Sequence, residues 1–220
     1  PEEVIVAIIG VETRYGTYPL SHPVLDTLAT LAFDYPRRGE FFRGELEQYL
    51  LLMREEGKDP LSIRGSFAGA MGIPQFMPSS YRTYAVDFDD DGRRDLWRNS
   101  TDAIGSVANY LKVHGWEPNL PVAMRAALQQ DAATSDLLSG SLRPQHSMEQ
   151  LRSQGVMAAE VLAPETPVVL LAVEVDDGQE YWLGLNNFYV ITRYNRNLFY
   201  ALSVYQLSQE IRLARLSSLN

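Results

Sequence analysis

The sequence contains an apolar run, Val4-Ile-Val-Ala-Ile-Ile-Gly-Val11, directly followed by Glu12-Thr-Arg-Tyr-Gly16. The run is apolar on nearly all sides of a helix, which is typical of a buried core helix. Burial disfavours the ionised form of a carboxyl group, so Glu12 at the end of this helix is suited to donate a proton near neutral pH. On the residues alone a structural role stays open, in which Glu12 pairs with Arg14 or with another arginine.

Two further segments have the spacing of helices that bury one face. The first covers residues 43–56 and is followed by Gly57 and Pro60, and the second covers residues 101–114 and is followed by Gly115. Glycine after the last turn is a common end of a helix, and proline prevents its continuation. The predicted inward faces are Leu46, Tyr49, Leu50 and Met53 in the first helix, and Ile104, Val107, Ala108 and Leu111 in the second.

The strand signal lies between helical segments. Residues 168–175 are β-branched and apolar, residues 180–185 carry aromatic side chains, and Asp177-Gly178 supplies turn residues, which predicts a β-hairpin. Ser147 and Gln150 have the spacing of a capping box. We therefore predict an α+β fold, mainly α. The predicted parts are a helical core with a metal loop (1–114), a small β-containing subdomain (115–185) and a C-terminal helical segment that returns to the core (186–220).

Composition excludes several classes of function. The 220 residues include 19 basic and 28 acidic side chains, and a net charge of −9 argues against binding of nucleic acid. The absence of cysteine excludes disulfides, thiolate metal sites and a cysteine nucleophile. The longest apolar run is too short to span a membrane. Because the sequence opens at Pro1 without Met, we expect any export signal, lipid anchor or upstream domain to lie outside it.

The segment Asp87-Phe-Asp-Asp-Asp-Gly-Arg-Arg-Asp95 has the spacing of the first part of an EF-hand calcium loop. Arg98 stands where such loops carry the closing glutamate, and Asp102 is the candidate that replaces it. The alternative is an acidic, solvated loop. We expect a structural Ca²⁺ ion of modest affinity in loop 87–102, and no organic cofactor. The predicted ligands are the carboxylates of Asp87, Asp89, Asp91, Asp95 and Asp102 and the backbone carbonyl of Arg93.

Two more segments are candidates for substrate binding. Residues 65–78 combine small residues, which let a ligand approach the backbone, with the isolated polar groups of Ser66 and Gln75. A tightly packed crossover loop is the alternative. The aromatic and amide side chains of residues 189–205 are typical of sugar-binding grooves, but they also suit a plain core. The candidate binding residues are Ser66, Phe67, Met71 and Gln75 in the first segment, Tyr194, Asn195 and Tyr200 in the second, and Tyr110.

Several blocks of the sequence, taken in order, resemble one known family. They are residues 10–16, 28–38, 65–81, the loop that begins at Asp87, residues 102–110 and residues 187–195. These blocks resemble the lytic murein transglycosylases of the B type, which form glycoside hydrolase family 103. The resemblance extends from Pro1 to about Leu213 and is weakest between residues 118 and 165.

The resemblance implies a lysozyme-like core, an EF-hand-type calcium loop and cleavage of the β-1,4 bond between N-acetylmuramic acid and N-acetylglucosamine. The matching position makes Glu12 the single catalytic acid and base. Ser66 matches a residue that hydrogen-bonds the substrate near its acetamido group, and Gln75 matches a polar residue of the groove. Phe41 stands where a relative carries tyrosine, and the family's upstream helices are absent from the sequence. The matching positions that line the same groove are Tyr110, Tyr194, Asn195 and Tyr200.

The implied reaction needs one carboxyl group, because the acetamido group of the substrate assists, and it yields a 1,6-anhydro sugar. Two rival functions stay open: a hydrolytic muramidase with Asp26 or Glu40 as second carboxylate, and a non-catalytic, calcium-dependent glycan-binding module. The expected partners are peptidoglycan glycan strands, with other cell-wall enzymes and a membrane anchor as further candidates. We expect a periplasmic monomer, with an outer-membrane lipoprotein as the candidate for the full-length form.

Overall fold

The computed structural model describes residues 1–132, 134–138 and 140–218. Contacts between Cα atoms divide the chain into two compact units, Glu2–Tyr110 and the residues from Leu111 onwards. The division into 1–114, 115–185 and 186–220 stays a prediction.

The first unit is helical. Two short antiparallel strands, β1 (His22–Pro23) and β2 (Arg64–Gly65), pair within it. The helices are α1 (Glu2–Thr13), α2 (Val24–Asp34), α3 (Gly39–Glu55), α4 (Pro78–Tyr84) and α5 (Ser100–Val113), most of which belongs to this unit. The prediction of a buried helix over the first apolar run is confirmed, since Val4, Ala7, Ile8 and Ile9 of α1 are buried.

The predicted inward faces of the other two helices are wrong in part. Leu50 is 47% exposed and Ile104 is 41% exposed, although both were predicted to face inwards. In α3 the buried face instead includes Glu45, whose carboxylate accepts hydrogen bonds from the Ser79 amide (2.9 Å) and the Ser79 hydroxyl (2.7 Å). A buried carboxylate is tolerated when its oxygens are paired in this way, so the polar position lies inside and the leucine lies outside.

The second unit contains an antiparallel sheet. Its strands are β3 (Ala123–Leu128), β4 (His146–Ser147), β5 (Val156–Ala158), β6 (Pro167–Val175) and β7 (Gly178–Gly184). They lie in the order β4-β6-β7-β3-β5. The helices of this unit are α6 (Met148–Ser153), α7 (Asn186–Tyr194) and α8 (Leu198–Ser218).

The predicted hairpin is confirmed, but its turn lies one residue earlier. Val175 pairs with Gly178, so Asp176 and Asp177 form the turn and Gly178 begins β7. Gly178 has a φ of 129°, a conformation that side chains disfavour, which explains the glycine at this position. The predicted capping box is also present: the Gln150 amide donates to the Ser147 hydroxyl (3.2 Å), and the Ser147 amide donates to the Gln150 side chain (2.8 Å).

A compact apolar core lies within the second unit. It joins β3, β6 and β7 with α6, and its fully buried members include Leu151, Val168 and Leu183. The buried side chain of Asn187 at the start of α7 bonds both the amide and the carbonyl of Glu117, each at 2.8 Å. A helical unit followed by a sheet-containing unit confirms the α+β class, mainly α.

Candidate functional site

Glu12 lies in the last turn of α1 and is half-buried. The next residue, Thr13, is 2% exposed, and its hydroxyl donates to the backbone carbonyl of Ile73 at 2.9 Å. Ile73 belongs to the segment 65–78 that was predicted to bind substrate. The carboxyl-bearing end of α1 is therefore joined directly to that segment.

Ser66 follows β2 and begins a tight loop. Its amide donates to the Ala70 carbonyl at 2.8 Å, and its hydroxyl oxygen accepts from the amides of Ala68 (3.2 Å) and Ala70 (3.1 Å). A hydroxyl group has one proton and two acceptor positions, so this arrangement leaves the proton of Ser66 to donate to a ligand. Gly65 is required here, because a Cβ atom at this position would collide with the Ala70 carbonyl.

Gln75 lies in the turn that follows. Its φ of 52° is left-handed, and both its backbone amide and its side-chain amide donate to the Gly72 carbonyl, at 3.2 and 2.9 Å. Met71 pairs with Phe76 through two backbone hydrogen bonds and is completely buried, so it contributes packing to the loop. Phe67 is 79% exposed and presents an aromatic ring to solvent.

Tyr110 lies in α5 and is largely buried. Its ring contacts that of Phe76, with centroids 5.7 Å apart, and that of Tyr84 edge-on at 4.8 Å. Phe76 is the residue next to Gln75. Tyr110 is therefore held against the same turn of the first unit, through aromatic packing.

Tyr194, Asn195 and Tyr200 lie in the second unit, where α7 ends and α8 begins. The rings of Tyr194 and Tyr200 are stacked, with centroids 6.5 Å apart and an interplanar angle of 14°. Both tyrosines are half-buried and Asn195 is exposed. The connection between the two helices thus brings these three predicted residues together.

The acidic loop contains a cluster of three carboxylates. One oxygen each from Asp87, Asp89 and Asp102 lies within 4.8 Å of the other two. Asp102 is fully buried in the first turn of α5, and it accepts hydrogen bonds from the amides of Phe88 and Asp95, both at 2.8 Å. Since oxygens that share a cation converge on one point, this spacing is compatible with a bound metal ion.

The other predicted ligands belong to the turns of the same loop. Asp91 accepts from the Arg93 amide at 2.9 Å. One oxygen of Asp95 accepts from the amides of Trp97 (2.9 Å) and Arg98 (3.1 Å). In both residues one carboxylate oxygen accepts these bonds, which stabilise the backbone turns of the loop.

Next to this loop lies the buried phenol of Tyr81. Its ring is 5.3 Å from that of Trp97, and its hydroxyl donates to the Arg94 carbonyl. Burial raises the pKa of Tyr81 above its usual value, and the nearby charge of Glu56 adds to this effect. The phenol therefore stays protonated and keeps its hydrogen bond to the loop.

The two carboxylates considered for a hydrolytic mechanism are both exposed. Asp26 lies in the first turn of α2, and Glu40 lies in the first turn of α3. Neither position resembles the half-buried setting of Glu12.

Sequence patterns did not single out Thr13 and Ile73. Threonine near the end of a helix is common, and an isoleucine inside a loop suggests packing. Their hydrogen bond joins residues 60 positions apart, so no local spacing signals it. The pair of the buried Glu45 and the half-buried Ser79 was missed for the same reason, since 34 positions separate its members.

In the part of the chain that the structure describes, no helix combines the length and the apolar character needed to cross a membrane.

Comparison with known proteins identifies relatives of the whole chain. Membrane-bound lytic murein transglycosylase B of Escherichia coli (strain K12) is 50% identical over 215 residues, which are 98% of this chain and 58% of that protein. The chain thus spans less than two thirds of the length of this curated relative.

Solved structures of lytic transglycosylases are also similar to this chain. The Escherichia coli lytic transglycosylase Slt35 in complex with calcium superimposes with a TM-score of 0.88 at 50% identity, covering 97% of this chain and 67% of that one. SltB3 from Pseudomonas aeruginosa in complex with NAG-anhNAM-pentapeptide has a TM-score of 0.81 at 32% identity, covering 96% of this chain and 56% of that one.

The family model described as the transglycosylase SLT domain matches residues 1–209. Together with the solved structures it confirms the predicted resemblance and the mainly helical, lysozyme-like fold with its β-containing part. The chain therefore belongs to the transglycosylase SLT domain family.

Proposed function

We propose that this chain carries a lytic transglycosylase that cleaves the β-1,4 bond between N-acetylmuramic acid and N-acetylglucosamine in peptidoglycan. The observation that supports this most is the half-buried Glu12 at the end of α1, beside a threonine that bonds the loop of Gln75. The names of the relatives support the reaction type, and the anhydro-muramic ligand of SltB3 supports the product.

The first step uses Glu12 as an acid. Protonated Glu12 donates its proton to the glycosidic oxygen, and the bond from that oxygen to the anomeric carbon breaks. The carbonyl oxygen of the substrate's own acetamido group bonds to the anomeric carbon in its place, so a second protein carboxylate is not required.

Ser66 orients the acetamido group. Its hydroxyl oxygen already accepts two backbone amides, and the remaining proton is the one that would reach the substrate. Gln75 and the exposed ring of Phe67 supply further contacts from the same loop. In the second unit, the stacked pair of Tyr194 and Tyr200 has aromatic faces suited to binding glycan.

The second step returns the proton. Ionised Glu12 accepts the proton of the 6-hydroxyl, the 6-oxygen bonds to the anomeric carbon, and the acetamido oxygen leaves. Because the attacking group belongs to the same sugar, its effective concentration is high. The product is a 1,6-anhydro-N-acetylmuramic acid end, and no water is consumed.

The products test this proposal. Purified peptidoglycan digested by the protein should yield muropeptides with anhydro ends by mass spectrometry. Products one water heavier would instead establish a hydrolytic muramidase, and the variants Asp26→Asn and Glu40→Gln would then identify its second carboxylate.

The variant Glu12→Gln tests the role of the carboxyl group. General acid–base catalysis contributes roughly 10²- to 10⁴-fold, so digestion should slow by at least about 10²-fold while binding to peptidoglycan persists. Glu3→Gln, in the first turn of the same helix, is the matched control and should digest normally. If Glu12→Gln digested peptidoglycan at an unchanged rate, either another group would be the catalyst or the protein would be a glycan-binding module.

We further propose that loop 87–102 holds a structural Ca²⁺ ion in an EF-hand-type arrangement. The cluster of Asp87, Asp89 and Asp102 supports this, because hard oxygen donors suit calcium, and so does the calcium complex of Slt35. The remaining proposed ligands are the carboxylates of Asp91 and Asp95 and the carbonyl of Arg93.

A substrate in the cell wall supports a periplasmic location, and the membrane-bound relative supports attachment of the full-length form to a membrane, for which we propose the outer membrane. We propose peptidoglycan strands as the main partner of a monomeric protein, with other cell-wall enzymes as further partners. Fractionation of cells that express the full-length protein would test the location.

A further inference from the structure

Three consecutive residues after Thr13 adopt left-handed backbone conformations. The φ angles of Arg14, Tyr15 and Gly16 are 49°, 60° and 79°. Only glycine adopts this region freely, so Arg14 and Tyr15 are held there by their surroundings. The ring of Tyr15 lies over Gly10, where a Cβ atom would come within 2.9 Å of it. The chain thus turns back sharply just beyond Glu12.

Thr13 is the residue that closes this turn. Its hydroxyl oxygen accepts from the Gly16 amide at 3.0 Å, and its carbonyl accepts from the Tyr18 amide at 2.9 Å. Two carbonyl oxygens lie within reach of its single hydroxyl proton. The distance from the Thr13 hydroxyl oxygen is 2.9 Å to the Ile73 carbonyl and 3.3 Å to the Ile9 carbonyl of its own helix. The stronger bond therefore reaches outside the helix.

Ile73 is held from its other side as well. Its amide donates to the Leu96 carbonyl at 2.7 Å. Gly72 allows this approach, because a Cβ atom there would lie 2.5 Å from the same carbonyl oxygen. Gln75, two residues beyond Ile73, has a left-handed φ of its own. Ile73 is consequently a fixed point for the hydroxyl of Thr13.

The last turn of α1 lies at the end of the helix, where the internal hydrogen bonds of the middle are missing. Backbone bonds beyond Glu12 join the Arg14 amide to the Gly10 carbonyl at 3.0 Å, the Tyr15 amide to the Ile9 carbonyl at 3.4 Å and the Tyr18 amide to the Thr13 carbonyl at 2.9 Å. The bond from Thr13 to Ile73 joins the residue next to Glu12 to the loop of Ser66 and Gln75.

We propose that Thr13 is a positioning residue for the reaction: through its hydroxyl bond to Ile73, it holds the carboxyl group of Glu12 at a fixed distance from the loop that binds the substrate. This inference rests on the proposed function of Glu12. A threonine that only stabilised the fold would affect the amount of folded protein, and it would leave the turnover of folded protein unchanged.

Thr13→Val tests the proposal, because valine has the shape of threonine and lacks the hydroxyl. Misplacement of a catalytic group by about 1 Å costs about 10²-fold in rate, so we expect kcat per folded molecule to fall by about 10- to 100-fold with KM within about twofold. Thr13→Ser keeps the hydroxyl and should retain kcat within about threefold. The readouts are kcat and KM on soluble glycan strands, below the melting temperature, with folding checked by circular dichroism.

Ser208→Ala is the matched control for stability. Ser208 is fully buried in α8, and its hydroxyl bonds the Tyr205 carbonyl of its own helix at 2.6 Å. The variant should lower the melting temperature and leave kcat unchanged. If Thr13→Val does not fold, Thr13→Cys replaces it. Its thiol is a weak donor of similar size, so its kcat should fall between those of Thr13→Ser and Thr13→Val.

The outcomes separate this inference from the proposed function. Full kcat in Thr13→Val, with Glu12→Gln inactive, overturns the inference alone. Equal loss of kcat in Thr13→Ser and Thr13→Val also overturns it, since the hydroxyl would then be irrelevant. Full activity in Glu12→Gln would overturn the proposed function itself.

Discussion

Tyr49 places a phenol among the buried side chains of the first unit. The residue is completely buried in α3, and its hydroxyl donates to the Pro60 carbonyl at 2.7 Å. Burial raises the pKa of the Tyr49 phenol above its usual value, and the negative charge of Asp59 adds to the effect. The sequence predicted that Tyr49 faces inwards, but its hydrogen-bond partner follows from the fold.

We predict that in Tyr49→Phe the free energy of unfolding falls less steeply as the pH rises into the alkaline range. Since the pKa of Tyr49 is raised in the folded state, its contribution is complete below the unfolded pKa of about 10 and is lost as the pH rises above that value. Near pH 8, the variant should lose about 1 kcal/mol of unfolding free energy with the hydrogen bond. Between roughly pH 9 and 11, it should then lose less stability than the parent protein.

Denaturant unfolding at a series of pH values measures this. Tyr18→Phe is the control, because Tyr18 is 56% exposed, and its curve should parallel that of the parent protein. A Tyr49→Phe curve that also runs parallel would contradict the prediction.

Two glycines show how the backbone conformation within a strand or helix determines whether alanine stabilises or destabilises the protein. Gly178 starts β7 with a φ of 129°, while Gly44 lies inside α3. A Cβ atom added at either position would find no atom within 4 Å, so collisions do not contribute. The difference between them is therefore one of backbone conformation.

We predict opposite signs for the two substitutions by alanine. Gly178→Ala forces a side chain into a disfavoured conformation and should destabilise the protein by about 1 to 2 kcal/mol. Gly44→Ala favours the helix and should stabilise it by about 0.5 to 1 kcal/mol. Thermal and denaturant unfolding provide both values, and equal signs would refute this explanation.

The buried face of α3 shows what hydrophobic periodicity does not predict. The pattern of α3 correctly predicted a helix that ends before Gly57, because propensity and the end signal are local. It placed Leu50 inside, whereas the fold places Glu45 inside and pairs it with Ser79. An apolar position on the surface costs little, while a buried carboxylate needs a partner that only a distant segment supplies.

The charge of the whole molecule is concentrated in part at one loop. Of the 28 acidic residues, six lie in loop 87–102, and the proposed calcium ion would offset two of the nine net negative charges. The acidic residues in question are Asp87, Asp89, Asp90, Asp91, Asp95 and Asp102. Ion binding to the folded state alone stabilises the protein by mass action.

We therefore predict that chelation of calcium lowers the melting temperature of the protein. At a free ion concentration of about 100 times Kd, the stabilisation amounts to about 2.7 kcal/mol. The difference in melting temperature with and without calcium should shrink in Asp102→Asn, because a neutral amide replaces the buried carboxylate of the cluster. Asp34→Asn, at the exposed end of α2, should keep the full difference. A melting temperature insensitive to calcium would argue against the site.

Local chemistry in the chain was sufficient to predict several features of this protein. Four of these features depend on residues close together in sequence, whose spacing reflects periodicity and turn preference. They are the buried helix with Glu12 in its last turn, the hairpin, the capping box and the blocks that identify the family. The hydrogen bond from Thr13 to Ile73 and the pair of Glu45 and Ser79 arise differently. They join distant segments, and such pairings are set by how helices and loops pack together, which no local pattern contains.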